Sequence, residues 1–395
     1  MQNRRTEAIE ARVKYWDAEA GAVLRWNELA RQLVTRTTTN PPRASRVYAL
    51  LSLAQRNALG AAWAQAALFQ GRAPNQIDPS VRPLVDMTNR LVIEPGVLAG
   101  ASSTTLLALF PDHADAITQS AKEQIETRIW AGASLRSDLQ AGQALGQAMA
   151  QQVLEQAQSD GAKEAATPID LPTGPGKWYL DSWQTLPAQM PGWGGVRSWF
   201  MAAGDQFRPA PPPAFDSPEF RAALAEVRQI SDTRTEEQSR IAASWSDGPG
   251  TSTPPGHWND LAAEYIRRSS LDERQAARVL TTVNMAMMEA GIACWEAKYH
   301  YLVIRPWQAD PHIITTVGWP NHPSYPSGHS CFSGAAAVTL AHFFPEARDE
   351  LKALAEEASL SRLYGGIHYR FDLEAGLEIG RKVGQLAVEY AEAQK

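Results

Sequence analysis

The sequence predicts an all-α protein. Apolar residues recur at helical spacing over long stretches, alternating strand patterns are nearly absent, and the breaks between periodic stretches are rich in proline and glycine. The chain has 395 residues, of which 44% are hydrophobic, so it is long enough to bury a large core. We therefore predict a single all-α domain over residues 1–395.

The first part of the chain, residues 1–160, is predicted to consist of N-terminal helices. Apolar spacing predicts helices at Glu7–Leu33 and Ala44–Gln70, which two consecutive prolines separate. Ser120–Ala157 is rich in Ala, Gln, Leu and Glu, which are strong helix formers. No internal repeat is evident in the chain.

The middle part, residues 161–258, is predicted to wrap over the core. Proline and glycine are dense over Thr167–Pro218 and exclude helix interiors, while four tryptophans in the same stretch argue against a disordered linker. Helices are predicted at Ser217–Thr233 and Glu236–Trp245. A loop, Asp247–Trp258, follows them.

The last part, residues 259–395, is predicted to be a helical core. A long helix over Leu271–Val303 begins at a capping-box pattern formed by Ser270 and Glu273. A proline-rich loop spans Trp307–Ser327. Further helices are predicted at Gly328–Phe344, at Pro345–Tyr364 and from Asp372 to the end.

Cations and histidines concentrate in this last part, in three short patterns. Seven of the eight histidines lie at or after His257. The patterns are Lys298 with Arg305 and a proline, Ser327-Gly328-His329 after a proline and before a helix, and Arg362 with His368 and Asp372. Each pattern alone is typical of a solvated helix face, a plain helix cap or an ordinary ion pair.

Together the three patterns predict a site for a phosphate-like or vanadate-like oxyanion. Arginine and lysine hold oxyanion oxygens through charge-assisted hydrogen bonds, and a helix N-terminus that begins with glycine offers backbone N–H groups and a favourable dipole. One histidine can attack or coordinate the central atom and the other can move a proton.

The segments KYHYLVIRP, SYPSGHS and SRLYGGIHYRFD resemble the three-part signature of the vanadium-dependent haloperoxidases. Bacterial acid phosphatases and type 2 phosphatidic acid phosphatases share this signature. The resemblance is strongest from about Gln238 to Asp372. It implies a helical bundle of the vanadium haloperoxidase and acid phosphatase type.

The resemblance also implies a role for each motif residue. His368 would be the axial vanadium ligand or, in a phosphatase, the nucleophile, and His329 would be the acid–base residue. Asp372 would orient His368. The groups that would bind oxyanion oxygens are Lys298, Arg305, Arg362, the Ser327 hydroxyl and the Gly328 amide.

Three further positions bear on the activity. Trp295, one turn before Lys298, and His322, in NHPSYPSGHS, resemble the halide pocket of haloperoxidases, and His322 resembles the bromide-using enzymes. Asp247 resembles an aspartate that supports an active-site arginine. The connection between His329 and Ser361 is short, where large haloperoxidases usually carry a long insertion, and this shortness favours a phosphatase.

The first functional hypothesis is therefore a vanadium-dependent haloperoxidase that oxidises bromide or iodide with hydrogen peroxide at a histidine-bound vanadate. The alternative is an acid phosphatase that hydrolyses phosphomonoesters through a phosphohistidine intermediate. A non-catalytic oxyanion-binding protein ranks last of the three. A zinc hydrolase is not supported, because no HExxH-type spacing is present.

Composition limits the partners and the compartment. A net charge of −6 without a basic run argues against nucleic-acid binding, and no apolar stretch is long enough to predict a membrane span. The first residues lack the apolar core of a secretory signal, so we expect a cytosolic protein or a mature exported form, and the resemblance favours a mature periplasmic one. A homodimer is compatible with the resemblance. The two cysteines, Cys294 and Cys331, are expected to be buried thiols, although a bridge between them would also be consistent with the sequence.

Overall fold

A computed structural model describes residues 5–18, 20–66 and 74–394. The chain is 67% helical and, among the described residues, contains no strand beyond an isolated bridge between Lys177 and Val303. The predicted all-α fold is confirmed. The α-helices are α1 (Glu7–Asp17), α2 (Gly21–Arg36), α3 (Pro41–Ala64), α4 (Pro74–Ile77), α5 (Glu94–Leu109), α6 (Ala114–Trp130), α7 (Arg136–Gln158), α8 (Pro218–Thr233), α9 (Glu236–Ser244), α10 (Thr253–Arg268), α11 (Glu273–Tyr301), α12 (Pro306–Ala309), α13 (Gly328–Phe343), α14 (Arg348–Tyr364) and α15 (Arg370–Ala393).

The chain divides into two compact units. The N-terminal unit comprises Met1–Leu33, Val47–Gln158 and Asn259–Thr281. The C-terminal unit comprises Val34–Arg46, Ser159–Trp258 and Thr282–Lys395. None of the described helices is both long and apolar enough to cross a membrane.

The centre of the N-terminal unit is the tight packing of α5 against α7. A Cβ added to Gly96 or to Gly100 would lie 2.2 Å from a carbonyl oxygen of α7. Only glycine permits two helix backbones to approach so closely. The α5 helix is therefore buried on nearly all its faces.

The C-terminal unit contains a similar pair, α13 and α15. A Cβ on Gly376 would lie 2.6 Å from the Ser327 carbonyl oxygen, and one on Gly380 would lie 2.4 Å from the Cys331 carbonyl oxygen. Aromatic and aliphatic side chains around α8 and the start of α15 form a core that includes Phe220, Val227 and Tyr369. This packing fixes the start of α13 against the start of α15.

Several predicted helices are interrupted in the structure. The predicted Glu7–Leu33 helix is two helices, because Ala18 is extended and a Cβ on Gly21 would lie 2.2 Å from the Trp16 carbonyl oxygen. The predicted Ser120–Ala157 helix is also two helices, separated by a turn in which Gly132 has φ +67. Apolar periodicity continues across both turns, so the pattern alone does not reveal them.

The starts of two further helices differ from the predicted ones. The helix predicted at Ala44–Gln70 begins at Pro41, because proline fits a first helical turn, and residues 67–70 of that prediction lie outside the described residues. The capping box predicted at Ser270 and Glu273 is wrong. Asp272 and Gln275 form the reciprocal bonds instead, because Ser270 has φ 48.

Two further differences concern elements that the sequence patterns did not resolve. Glu94–Leu109 was not predicted, because a helix that is apolar all round has no amphipathic period. The predicted loop Asp247–Trp258 ends early, since α10 begins at Thr253 with prolines in its first turn.

Candidate oxyanion site

The residues predicted for the oxyanion site and for the adjoining halide pocket lie together in the C-terminal unit. They are Trp295 and Lys298 on α11, Arg305 before α12, His322 in the following loop, Ser327, Gly328 and His329 at the start of α13, Arg362 in α14, and His368 and Asp372 around the start of α15. Lys298, Arg305, Ser327 and Asp372 are 0% exposed, Arg362 is 1% exposed and His368 is 2% exposed. The site is thus built from polar groups that are removed from water.

Asp372 orients the ring of His368. The Nδ1–H of His368 donates to Asp372 Oδ2 over 2.7 Å. The same carboxylate oxygen accepts from the Ser324 hydroxyl at 2.6 Å and from the Tyr369 backbone N–H at 3.1 Å. Because an ionised carboxylate only accepts, the proton stays on Nδ1, and Nε2 keeps its lone pair. Burial raises the pKa of Asp372 to about 6, against the hydrogen bond from Ser324 and the charge of Lys298.

Arg305 donates a hydrogen bond to Nε2, the ring nitrogen of His368 that does not contact Asp372. Its Nη1 donates to His368 Nε2 at 3.0 Å and to the Ile367 carbonyl at 2.7 Å. Its other nitrogens donate to the His322 Nδ1 at 3.1 Å and to the His322 carbonyl at 3.0 Å. Burial lowers the pKa of Arg305 to about 9, although the Asp372 charge opposes this. Arg305 therefore joins the loop before α13 to the His368 turn.

Lys298 holds the turn that leads into α13. Its ammonium donates to the carbonyls of Pro323 at 2.8 Å and Ser324 at 2.9 Å, and also to the carbonyl of Pro326. An ammonium has three N–H donors, so all three are used within the chain. Burial lowers the pKa of Lys298 to about 8. Lys298 thus supplies positive charge and shape to the site, while its hydrogen bonds stabilise the turn.

The start of α13 presents its backbone toward the same region. Ser327 is the N-cap, and its hydroxyl accepts from the Ser330 N–H at 3.4 Å. Its own N–H donates to the Asp372 carbonyl at 2.9 Å. A Cβ on Gly328 would lie 3.3 Å from the Trp295 ring, so glycine leaves room between the helix start and the indole. The free N–H groups and dipole of a helix N-terminus favour an anion here.

His329 and Arg362 form the other half of the site. The His329 ring hydrogen-bonds the backbone of Trp245 and Ser246, while its Nε2 is buried and has no hydrogen-bond partner among the described residues. Burial and then the charge of Arg362 hold the pKa of His329 well below its ordinary value. Arg362 donates from Nε to the Ser361 hydroxyl at 2.8 Å and from Nη2 to the Ala242 carbonyl at 2.9 Å.

The two halves of the site influence each other electrostatically. Burial is the main reason that the pKa of His368 lies well below its ordinary value, and the charges of Arg305 and Lys298 lower it further. Burial lowers the pKa of Arg362 to about 10, and Asp247 opposes this shift. Three buried cations and neutral histidines therefore surround one small region. A bound anion would favour the charged form of each of these groups and would therefore oppose these shifts.

Asp247 belongs to a small cluster beside Arg362. Its carboxylate oxygens lie 3.2 and 3.3 Å from His257 Nδ1. The His257 ring stacks on Trp245, with ring centroids 4.2 Å apart and an interplanar angle of 12°. Asp247 has φ 44, a left-handed conformation that aspartate tolerates. The predicted supporting role of Asp247 stays a prediction, and its charge does act on Arg362.

Trp295 and His322 were predicted to line a halide pocket. Trp295 is 1% exposed, and its indole N–H donates to the Gln189 carbonyl at 3.1 Å. The His322 ring lies 5.0 Å from the Trp295 ring, measured between centroids. The two residues are thus neighbours in the site, and their role toward halide stays a prediction.

Sequence patterns missed two residues of the site. Ser324, which donates to Asp372, lies within the SYPSGHS segment, and the spacing gave it no role. His257 was noticed only as one of a group of histidines, and its pairing with Asp247 depends on a loop that folds back on itself. The cysteines are thiols: Cys294 and Cys331 are both buried and hydrogen-bonded to each other.

The segment that holds the site resembles a known superfamily. Residues 278–395 match the model of the PAP2 superfamily. This segment is similar to the PAP2 superfamily and makes up less than a third of the chain. It contains every predicted site residue except Asp247, so the superfamily recognised from the three motifs is confirmed.

Curated relatives match the PAP2 segment in part. Non-specific acid phosphatases of Salmonella typhi and Salmonella typhimurium are 32% and 31% identical over 115 residues. The match spans 28% of this chain and 44% of each phosphatase, so the chain spans less than half the length of these relatives.

Solved structures match nearly the whole chain. A bacterial vanadium-dependent iodoperoxidase has a TM-score of 0.76 at 24% identity, covering 94% of this chain and 96% of its own. A bacterial vanadium-dependent chloroperoxidase in its holo form has a TM-score of 0.67 at 14% identity, covering 90% and 93%. At these identities the likeness establishes the fold, which is the all-α fold of the vanadium haloperoxidases.

Proposed function

We propose that this protein is a vanadium-dependent haloperoxidase that oxidises bromide or iodide with hydrogen peroxide. The ring of His368 supports oxyanion chemistry of either kind, because its Nδ1–H donates to Asp372 and its Nε2 keeps a lone pair among buried cations. The observation that carries the haloperoxidase over the phosphatase is the likeness to an iodoperoxidase over 94% of the chain, since the acid phosphatases match only 28%.

The donor set fits vanadate. His368 would hold it through Nε2, and Arg305, Arg362, Ser327 and the Gly328 N–H would bind its oxygens, with charge from Lys298. Buried cations whose pKa values are lowered by burial, and a buried His329 Nε2 without a partner among the described residues, are the groups that an oxyanion would stabilise. When bound, vanadate supplies a Lewis acid that activates hydrogen peroxide for attack by halide.

The residues of the chain have separate tasks in this reaction. Asp372 keeps the His368 proton on Nδ1, so that Nε2 remains a donor of electrons. His329 gives or takes a proton at Nε2, because its other nitrogen is held by the Trp245 and Ser246 backbone. The three cations stabilise negative charge in a site that excludes water.

An acid phosphatase is the second candidate. The identity of 32% to a Salmonella phosphatase and the short connection between His329 and Ser361 favour it. In this reaction His368 Nε2 would attack phosphorus and His329 would protonate the leaving alkoxide. The cation shell serves both reactions equally, so activity has to be measured.

The deciding experiment compares both activities on one preparation. The protein is loaded with orthovanadate, freed of excess, and assayed for bromination and iodination of a dye with hydrogen peroxide. Vanadate-free protein is tested on p-nitrophenyl phosphate. We expect vanadate-dependent halogenation that is lost in His368→Ala and kept in His312→Ala, a matched control because the His312 side chain is 75% exposed and lies outside the site.

The other outcomes have clear meanings. Phosphate hydrolysis that vanadate inhibits, without halogenation, would refute the haloperoxidase and establish the phosphatase. Neither activity, with vanadate or phosphate binding intact, would leave a binding protein. His329→Ala separates the last case, because in an enzyme it abolishes turnover while much of the anion affinity remains.

A further inference from the structure

The N-terminal unit repeats the sequence of the PAP2 segment. Residues 110–147 align without a gap to residues 344–381. Identical residues include a Phe-Pro pair, an arginine, an Arg-x-Asp-Leu motif and three glycines. These pairs are Phe110 and Phe344, Pro111 and Pro345, Arg128 and Arg362, Gly132 and Gly366, Arg136 and Arg370, Asp138 and Asp372, Leu139 and Leu373, Gly142 and Gly376, and Gly146 and Gly380.

The structure repeats with the sequence. A Cβ on Gly142 would lie 2.3 Å from the Ile93 carbonyl oxygen, as one on Gly376 would lie 2.6 Å from that of Ser327. Gly132 and its counterpart Gly366 both have positive φ, +67 and +75. The close helix contacts and the turn thus recur at aligned positions of the two segments.

The first motif recurs as well, with a small change of register relative to the later alignment. Trp63 corresponds to Trp295, Ala66 to Lys298, and Pro74 to Pro306. The expectation that the chain has no internal repeat was therefore wrong. The repeat is hard to recognise in the sequence, because the two segments share only glycines and a few other residues while the residues that carry chemistry differ.

The substitutions remove the chemistry from the N-terminal copy. Ser134 stands where the other copy has His368, Pro95 where it has His329, and Ala66 where it has Lys298. Arg128 retains the position of Arg362 and pairs with Asp17, much as Asp247 acts on Arg362. The copy therefore keeps one cation of the oxyanion site and has lost both histidines.

Glu94 is the substitution that brings a carboxylate into the N-terminal copy of the site. It stands where the other copy has Gly328, the glycine that leaves room beside a tryptophan. The Glu94 carboxylate accepts from the indole N–H of Trp63, the counterpart of Trp295, and from the Leu91 N–H at 3.2 Å. It is only 5% exposed and lines a small cavity together with Arg90 and Arg128.

The cavity is lined by two arginines and by two carboxylates of the chain itself. Arg128 is 5% exposed, and its Nε has no hydrogen-bond partner among the described residues. Arg90 and Arg128 both pair with Asp17, and the carboxylates of Glu94 and Glu273 line the same cavity as the two arginines. When it is ionised, the Glu94 carboxylate offers two acceptor oxygens and one negative charge, as one edge of a bound oxyanion does.

We propose that the N-terminal unit is a second copy of the oxyanion-binding unit, in which the Glu94 carboxylate occupies the place that an oxyanion takes in the C-terminal copy. The ligand class of the emptied site would be a tetrahedral oxyanion such as phosphate. This inference does not depend on whether the C-terminal site is a haloperoxidase or a phosphatase.

The test restores the glycine. Glu94→Gly removes the internal carboxylate and leaves Arg90 and Arg128 facing the cavity. Bound inorganic phosphate is counted by equilibrium dialysis for the wild type and the variant. We expect one more phosphate per chain in Glu94→Gly than in the wild type, and a melting temperature that phosphate restores toward the wild-type value.

Two controls make every outcome decisive. Glu94→Gln keeps the shape and should bind the same number of phosphates as the wild type, and Glu94→Gly with Arg128→Met should lose the additional one. An equal count in Glu94→Gly and the wild type overturns the proposal. So does a Glu94→Gly chain that fails to fold even in concentrated phosphate, because added anion should then replace the carboxylate. The readout is a difference between variants, so it stands apart from any failure of the proposed enzyme activity.

Discussion

Replacing Asp372 by asparagine tests how the candidate site prepares His368. The Asp372 carboxylate oxygen accepts from His368 Nδ1 at 2.7 Å, from the Ser324 hydroxyl and from the Tyr369 N–H. An amide oxygen can replace part of this, but it carries no charge and brings two donors into a region of donors. A buried hydrogen bond to a charged group contributes about 1.5–3 kcal/mol. We therefore expect vanadate or phosphate to bind about 10- to 100-fold more weakly in Asp372→Asn, as for other residues that orient a ligand.

Affinity is measured by titrating vanadate against halogenation, or phosphate against hydrolysis, whichever activity the wild type has. Ser324→Ala is the matched control, since it removes one neutral donor to the same carboxylate and should cost about fivefold or less. Circular dichroism establishes that both variants fold. Unchanged affinity in folded Asp372→Asn would mean that Asp372 does not govern the His368 tautomer.

Three further predictions follow from burial and packing. Phosphate affinity should fall as pH rises through about 8, because Lys298 loses its proton there. Lys298→Met should bind phosphate more weakly and should not show this fall, as phosphate titrations on both sides of about pH 8 will test. Burial raises the pKa of Glu94 from 4.5 to about 7, so the free energy of unfolding should fall by about 3 kcal/mol as pH rises from 4.5 to 7. Glu94→Gln should not show this loss when urea unfolding is measured at those two pH values. Gly328→Ala should weaken anion binding, because its Cβ would lie 3.3 Å from the Trp295 ring, and the smaller ring in Trp295→Phe should recover part of it.

The candidate site could be predicted from sequence because its residues fall in three short patterns. The spacing of Lys298 and Arg305 along one helix end, and the glycine before His329, carried most of the information. The patterns could not predict which acceptor each hydrogen-bond donor would contact. Lys298 was expected to bind oxyanion oxygens, yet its three donors hold backbone carbonyls, and such contacts depend on how a loop folds back.

The fold class was predictable, while the breaks in it were not. Helical periodicity identifies amphipathic helices, so α8, α9 and α15 were found near their observed positions. The apolar helix Glu94–Leu109 has no polar face and was missed. The turn at Gly132 was missed because a single glycine with positive φ interrupts a continuous apolar pattern. Both omissions lie in the N-terminal copy, and they concealed the repeat.

The charge balance of the two copies explains why they should differ in affinity for an anion. In the C-terminal copy, burial lowers the pKa values of Lys298, Arg305 and Arg362, so the site gains when negative charge arrives. In the N-terminal copy Glu94 and Glu273 line the cavity beside two arginines that already pair with Asp17, and burial instead raises the pKa values of both glutamates. An approaching oxyanion would meet repulsion there and attraction in the other copy. The same helical framework can therefore hold an exchangeable anion in one unit and a covalently attached carboxylate in the other, where Glu94 stands in place of Gly328 and where Pro95 and Ser134 stand in place of the two histidines.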